Sequence, residues 1–137
     1  MKKSLCCVLV LILSFMVFEG CSDGSSPTAT IRACEAALRE GNYDAYSKYL
    51  SSDTRTYVEN QVTRISESEG LSIKDAQAKF VGYCGGETFS ITINSTSVSS
   101  NDTVIVNITE NVNGEEYTHD LTLVRVNGIW LLSFTDE

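Results

Sequence analysis

The sequence predicts an α+β domain in which N-terminal helices pack on a curved, four-stranded antiparallel sheet. Between residues 27 and 84, apolar side chains recur at the spacing of helices. After Gly86 they alternate with polar side chains, as in strands that have one face in water. Asn113-Gly114 and Asn127-Gly128 separate alternating segments, and Asn-Gly is typical of two-residue hairpin turns.

Two helices are predicted at the start of the domain. The first covers about residues 28–40, with Ser26-Pro27 as its cap and first turn and with Gly41 at its end. A second, short helix follows directly, with Asp44 as its expected N-cap.

Two further helices complete the helical half. The third is expected to begin near Asp53 or Thr54 and to end in the polar residues 66–70. The fourth begins at Ser72, because Ser72-Ile73-Lys74-Asp75 has the form of a capping box. Its apolar side chains Ala76, Phe80 and Val81 are expected to face inward.

The second half contains four alternating segments, which predict the four strands of a meander with one exposed face. Their apolar positions are Phe89, Ile91 and Ile93; Val104, Val106 and Ile108; Tyr117, His119, Leu121 and Leu123; and Trp130, Leu132 and Phe134.

Residues 1–20 have the features of a secretory signal peptide. Lys2 and Lys3 precede a short apolar run, residues 6–18, which Glu19 ends. A membrane-spanning helix needs about 20 apolar residues, so this run is too short to span a bilayer.

The end of this segment resembles the lipobox of bacterial lipoproteins. Phe18, Gly20 and Cys21 fit the pattern, whereas Glu19 stands where a small residue is usual. The resemblance implies cleavage before Cys21, lipid attachment to Cys21 and stable membrane anchoring. Ser22 follows in place of an aspartate, which by analogy with enteric sorting rules favours the outer membrane if the host has one. The alternative is an ordinary secretory signal with a coincidental cysteine.

The predicted domain organisation therefore has three parts. Residues 1–20 form the lipoprotein signal peptide, residues 21–26 the lipidated cysteine and a short polar tether, and residues 27–137 a single α+β domain. The formal net charge is −8, which argues against nucleic acid as a partner, because nucleic acid is itself negative. The acidic residues are scattered, as expected of a solubilising surface.

The cysteines divide into two groups. Cys6 and Cys7 leave with the signal peptide and Cys21 takes the lipid, which leaves Cys34 and Cys84 in an oxidising compartment. A disulfide between them would close a loop of about 50 residues and stabilise the fold by about 4 kcal/mol. The alternative is a pair of buried thiols that pack as small apolar groups.

Two segments carry a resemblance to a known superfamily. They are Leu38-Arg39-Glu40-Gly41-Asn42-Tyr43-Asp44-Ala45, after the first helix, and the closing hairpin Val126-Asn127-Gly128-Ile129-Trp130-Leu131-Leu132. With them, about residues 27–136 resemble the nuclear transport factor 2-like (cystatin-like) superfamily, and more narrowly bacterial envelope lipoproteins that carry a domain of unknown function. The resemblance implies a cone between helices and sheet as the usual site. An extra strand pair found in many catalytic members has no counterpart here, which argues against a deep, closed pocket.

His119 is the only histidine and the main candidate for chemistry in that cone. One interpretation is a general base, because imidazole titrates near neutral pH. The other is an ordinary strand histidine, which the absence of a catalytic partner favours. Asp120 is expected on the opposite face of the strand, so these neighbours in sequence do not form a pair.

Four tyrosines on the early helices form a second candidate group, which could line a pocket or a partner surface together with Tyr117 and His119. They are Tyr43, Tyr46, Tyr49 and Tyr57. The alternative is that these side chains are edges of the core whose hydroxyls reach solvent. No metal site and no cofactor are expected, because one histidine and two cysteines cannot form a zinc site and no phosphate-binding loop is present.

These observations favour a lipid-anchored, non-enzymatic protein of the cell envelope that binds a small apolar ligand or another envelope protein. An enzyme of isomerase or hydratase type, with His119 in a cone pocket, is the alternative. A third hypothesis is an assembly partner that works through the tyrosines.

Overall fold

The computed structural model describes residues 24–134, so the predicted signal peptide and Cys21 lie outside the described residues. Within this range, four helices precede four strands. The helices are α1 (Pro27–Glu40), α2 (Tyr43–Ser47), α3 (Ser52–Glu69) and α4 (Ile73–Cys84), and the strands are β1 (Ser90–Ser100), β2 (Thr103–Val112), β3 (Glu115–Val126) and β4 (Ile129–Ser133).

The ends of α1 follow from capping chemistry. The Ser26 hydroxyl accepts a hydrogen bond from the Ala29 amide at 3.1 Å, and Pro27 occupies the first turn. Gly41 ends the helix in the left-handed conformation, with φ of 67°. Both predicted ends are confirmed.

The N-cap of α2 is Asn42, so the prediction of Asp44 as the cap was wrong. The Asn42 backbone is extended, and its side-chain oxygen accepts a hydrogen bond from the Ala45 amide at 3.1 Å. Asp44 lies in the first helical turn instead, where a carboxylate is favourable beside the unpaired amides.

The longer helices α3 and α4 both begin after serine caps. The Ser51 hydroxyl accepts a hydrogen bond from the Thr54 amide at 3.4 Å, so α3 begins slightly earlier than predicted. The Ser72 hydroxyl accepts from the Asp75 amide at 3.1 Å, which confirms the predicted start of α4.

The four strands form one antiparallel sheet in the order β1-β2-β3-β4, as predicted. Val112 pairs with Glu115 and Val126 pairs with Ile129, so both Asn-Gly pairs form two-residue turns. Asn113 and Asn127 have φ of 54° and 53°, and the glycines that follow also have positive φ. This conformation matches the right-handed twist of hairpin strands.

The two faces of the sheet differ in chemistry. On the inner face, Val104, Val106, Ile108 and Leu123 are buried against the helices. The outer face carries a polar network in which the Asn107 amide donates to Asp120 at 2.8 Å and the Asn94 amide donates to Thr109 at 3.0 Å. Register shifts in β1 bend the sheet over the core. The structure therefore confirms the predicted α+β class.

The start of β1 is attached to α1 through a buried carboxylate. Glu35 accepts hydrogen bonds from the Ile91 amide at 3.0 Å and from Arg32 at 2.7 Å, and it forms an ion pair with Arg39 at 3.1 Å. Arg39 also donates to the Phe89 carbonyl at 2.6 Å. These bonds hold α1 across the first strand.

The outer edge of β4 is covered by backbone from the helical half. The Trp130 amide donates to the Gly24 carbonyl at 3.0 Å, and the Leu132 amide donates to the Tyr49 carbonyl at 2.7 Å. The Thr30 hydroxyl donates to the Trp130 carbonyl at 2.7 Å. The segment predicted as a tether is therefore docked on the domain from Gly24 onward.

Candidate functional site

A cavity of about 560 Å³ lies between the inner face of the sheet and helices α1, α2 and α4. Its volume falls within the range of about 300–1,000 Å³ that is usual for small-molecule sites. Most of its lining is apolar or aromatic. The lining residues are Ile31, Cys34, Leu38, Tyr46, Tyr83, Cys84, Ile91, Glu110, Val112, Tyr117, His119, Asp120, Leu121, Leu132 and Phe134.

The cavity exists because β2 and β3 extend beyond the helices that cover them. Val106 and Ile108 are buried under the helices, whereas Glu110 and Val112, further along the same inner face of β2, are only half-buried. On β3, Leu123 is buried and His119 is exposed. The space between sheet and helices therefore opens towards the β2–β3 hairpin.

A carboxylate–imidazole pair lies at this open end. Nε2 of His119 is 3.0 Å from Oε2 of Glu110, and the two side chains are 43 % and 27 % exposed. His119 pairs with Ile108 in register and Glu110 pairs with Tyr117, so the two side chains are diagonal neighbours on one face. The pair can accept or donate protons to a group in the cavity mouth.

Glu110 and Tyr83 line the cavity and were missed by the sequence interpretation, and Glu110 could have been found. It continues the inward alternation of Val104, Val106 and Ile108 by one more step. That period of two was the signal that could have placed Glu110 beside His119. The prediction that Asp120 points away from His119 is confirmed, because Asp120 accepts from Asn107 on the outer face, although Asp120 also borders the edge of the cavity.

The predicted tyrosine group is divided between different environments. Tyr46 is buried in the cavity wall, and burial raises the pKa of its hydroxyl above the usual value. Tyr43 is also buried and packs edge-to-face on Phe80, with ring centroids 6.4 Å apart. Half-buried Tyr57 packs in the same way on Phe134, at 6.1 Å. Of Tyr43, Tyr46, Tyr49 and Tyr57, only Tyr46 lines the cavity.

Tyr49 and Tyr117 occupy more accessible positions. Tyr49 is half-buried, and its carbonyl accepts from the β4 edge. Tyr117 is 51 % exposed at the cavity rim, and its hydroxyl donates to the Glu115 carboxylate. That carboxylate raises the pKa of Tyr117. A partner surface built on the predicted tyrosines would thus use Tyr49, Tyr57 and Tyr117 rather than the buried Tyr43 and Tyr46.

Cys34 and Cys84 both line the cavity, and both thiols are free in the structure. Burial raises the pKa of Cys34 from 9.0 to about 12. Burial, with a smaller effect of the Glu110 charge, raises that of Cys84 to about 11. Protonated thiols are weak nucleophiles, so neither group is activated for catalysis. A bridge between them stays a prediction.

A second hollow, of about 410 Å³, lies where the α1–α2 connection approaches α4. Its lining is polar and includes Glu40, Asp44 and Lys74. Among residues 24–134, no three His, Cys, Asp or Glu side chains are close enough together to hold a metal ion. No helix in the described part of the chain is long and apolar enough to cross a membrane.

Several solved structures are similar to this chain. A de novo designed protein with a curved β-sheet has a TM-score of 0.46 at 12% identity, covering 78% of this chain and 93% of the designed one. An NTF-2 like protein of unknown function from Shewanella oneidensis MR-1 has a TM-score of 0.45 at 15% identity, with 75% and 88% covered. An NTF2-like protein of unknown function from Cytophaga hutchinsonii ATCC 33406 has a TM-score of 0.41 at 12% identity, with 77% and 83% covered.

The architecture of this chain is defined by its own helices and strands, described above. A search of curated proteins gave no match. The model of one family, described as "Domain of unknown function (DUF4878)", matches residues 19–133. The match covers the whole described domain apart from its last residue, and the chain belongs to this family.

Proposed function

We propose that this protein is a lipid-anchored binding module of the cell envelope that holds a small apolar ligand in the cavity between its helices and its sheet. The observation that carries the proposal is the cavity of about 560 Å³ itself. Apolar side chains from α1, β1 and β4 form its walls, for example Ile31, Ile91 and Leu132. Such walls favour a ligand that buries hydrocarbon surface.

The charges around the cavity restrict the polar end of such a ligand. Glu110 and His119 lie at the mouth, Asp120 borders its edge, and no lysine or arginine is among the described residues that line the cavity. A ligand carboxylate or phosphate would meet Glu110 without a permanent cation to balance it. The site therefore favours a neutral or cationic polar end.

The membrane anchor is supported by the chain on both sides of Cys21. The basic and apolar residues before it and the lipobox resemblance predict lipid attachment. Gly24 is already docked on β4, so little free chain separates the domain from Cys21. Mass spectrometry of the protein extracted from membranes tests the anchor: an unmodified Cys21 would contradict it.

Ligand binding can be tested with a neutral fluorescent apolar probe such as N-phenyl-1-naphthylamine. The mature chain from residue 21 with Cys21→Ser has neither the signal peptide nor the lipid, so it needs no detergent, which would itself bind the probe. Val112→Trp fills the cavity mouth and should weaken binding. Val98→Trp is the matched control, because Val98 is 75% exposed on β1 and does not line the cavity. Equal binding by the two variants would show that the probe does not occupy this cavity.

A proton-transfer enzyme is the second candidate function, and the Glu110–His119 pair is the observation that favours it. A carboxylate 3.0 Å from Nε2 can orient the imidazole towards a substrate in the cavity mouth. The reaction class would be isomerisation or hydration of a substrate in the cavity. The test measures turnover of a panel of such substrates. Activity that is lost in both His119→Ala and Glu110→Gln supports an enzyme, whereas absence of turnover in the native protein favours the binding module.

A further inference from the structure

We infer that the β3–β4 hairpin is the membrane-facing end of the domain, where Val126 and Ile129 contact the lipid surface, and that the cavity mouth opens away from the bilayer. The inference rests on the proposed lipid anchor at Cys21. It adds the orientation of the domain and the side from which the ligand enters.

The length of chain between Cys21 and the docked residue Gly24 limits where the anchor can lie. Three residue steps span at most about 11 Å. The Gly24 carbonyl is held by the Trp130 amide at 3.0 Å. Gly24 also approaches Ile129 so closely that an added Cβ would lie 2.8 Å from its Cγ2. Cys21, the lipid attachment site, therefore lies within about 11 Å of Gly24, which is itself docked beside the start of β4.

The hairpin at this end presents an apolar pair. Val126 and Ile129 are 47% and 44% exposed, although both are large hydrophobic residues. They lie directly opposite each other in register, so their side chains share one face beside the Asn127-Gly128 turn. Apolar side chains held beside a lipid anchor gain free energy by entering the boundary between headgroups and acyl chains.

The charges of the hairpin indicate an apolar contact instead of an electrostatic one. Arg125 is the only arginine or lysine between residues 115 and 133. Its guanidinium pairs with Asp102 at 3.0 Å and lies 5.3 Å from the centroid of the Trp130 ring. Because Arg125 is already paired with Asp102, we expect little electrostatic attraction between this end of the domain and anionic lipid headgroups.

The cavity mouth lies at the other end of the same strand. His119 and Val126 are both on β3, and their seven-residue separation corresponds to about 23 Å at about 3.3 Å per residue. With Val126 at the lipid surface, the Glu110–His119 pair faces the aqueous compartment. A ligand therefore enters from solution or from a soluble carrier, without lateral transfer out of the bilayer.

Trp130 is the only tryptophan in the chain and lies next to the hairpin, so its fluorescence reports the orientation. The native lipidated protein would be reconstituted in phosphatidylcholine vesicles that contain a phospholipid with a spin label near the headgroup. Trp130 emission should fall when the labelled lipid is present, and the loss should be similar when phosphatidylglycerol is added. Unchanged emission in protein whose Cys21 lipid is verified by mass spectrometry would overturn the orientation alone.

A double variant, Val126→Ser with Ile129→Ser, separates the hairpin contact from the anchor. Both side chains are half exposed, so the variant should fold, which circular dichroism can verify. Its quenching should be weaker although it stays on the vesicles. Quenching equal to that of the native protein would overturn the contact through these residues. Absence of lipid on Cys21 would overturn the anchor and the orientation with it.

Discussion

Oε2 of Glu110 lies 3.0 Å from Nε2 of His119 at the open end of the cavity, on adjacent strands and in a diagonal position. Among the inner-face residues of the described sheet that line the cavity, this pair provides the only carboxylate and the only imidazole. The carboxylate should affect which ligands the cavity binds, whereas an enzyme would need both side chains.

The charge of Glu110 should give the cavity a preference for cationic over anionic amphiphiles. Dodecylamine is expected to displace the neutral probe from the Cys21→Ser protein at about three- to tenfold lower concentration than dodecanoate at pH 7, a modest difference because the carboxylate is partly solvated. Competition titrations with the two ligands, which share one chain length, measure this ratio.

Glu110→Gln should bring the two concentrations together while the neutral probe still binds. Glu67→Gln is the matched control, because Glu67 is exposed on α3 and does not line the cavity. Tighter binding of dodecanoate by the native protein would contradict the charge argument. Failure of the neutral probe to bind at all would instead contradict the cavity as a ligand site.

Loss of the Glu35 carboxylate should destabilise the fold. Glu35→Ala leaves the Ile91 amide without its 3.0 Å acceptor and removes the shared partner of Arg32 and Arg39. The expected loss is about 3 kcal/mol in the free energy of unfolding, measured by urea denaturation. Glu40→Ala, at an exposed position of the same helix, should change it by no more than about 0.5 kcal/mol. Equal effects would show that the buried bonds contribute little.

Two glycines near the end of α4 should respond to alanine in opposite directions. Gly85→Ala places a Cβ 2.8 Å from the Cβ of Leu38 and 3.2 Å from its carbonyl oxygen, so α1 would have to move. A loss of about 1–3 kcal/mol is expected from this overpacking. Gly82→Ala meets nothing within 4 Å and should stabilise the helix by about 0.5–1 kcal/mol. Thermal unfolding of both variants measures the difference, and a stable Gly85→Ala protein would refute the close contact.

The buried thiols predict a loss of stability at alkaline pH. The folded-state pKa of Cys34 is about 12 compared with 9.0 for a free thiol, so folding favours the neutral form. This contribution is complete below pH 9 and decreases as the pH rises towards 12, by about 1.4 kcal/mol per pH unit. Urea midpoints between pH 7 and pH 10 should show the decline, and Cys34→Ala should reduce its slope.

A thiol count decides between free cysteines and the candidate bridge. The structure leads us to expect that Cys34 and Cys84 both react with a thiol reagent when the mature Cys21→Ser protein is unfolded without reductant. No reaction would reveal the disulfide, and the alkaline decline should then be absent, because a disulfide has no proton to lose.

Much of the architecture was predictable because it depends on local rules. The period of apolar residues, the serine caps and the two Asn-Gly turns gave the order of helices and strands. The cap of α2 shows the limit of such rules. Asn42 and Asp44 are both good capping residues, and only the structure shows that Asn42 has the extended backbone and the side-chain hydrogen bond of the cap.

The site was harder to predict because it depends on how far the helices cover the sheet. Alternation puts Glu110 and Ile108 on the same face, but only packing leaves Glu110 half-buried while it buries Ile108. Packing likewise buries Tyr43 and Tyr46 but leaves the neighbouring Tyr49 half-buried, although the sequence placed all three in one group. Their burial comes from contacts with distant elements, which have no local signal.

The sequence alone was enough for the α+β class, the strand order and the acidic surface, because these follow from composition and from interactions between neighbours in the chain. The cavity, the Glu110–His119 pair and the docking of Gly24 on β4 needed the tertiary structure. Each of them joins segments that are far apart in the chain, and their meeting depends on the packing of α1 and α4 over a sheet that extends beyond them.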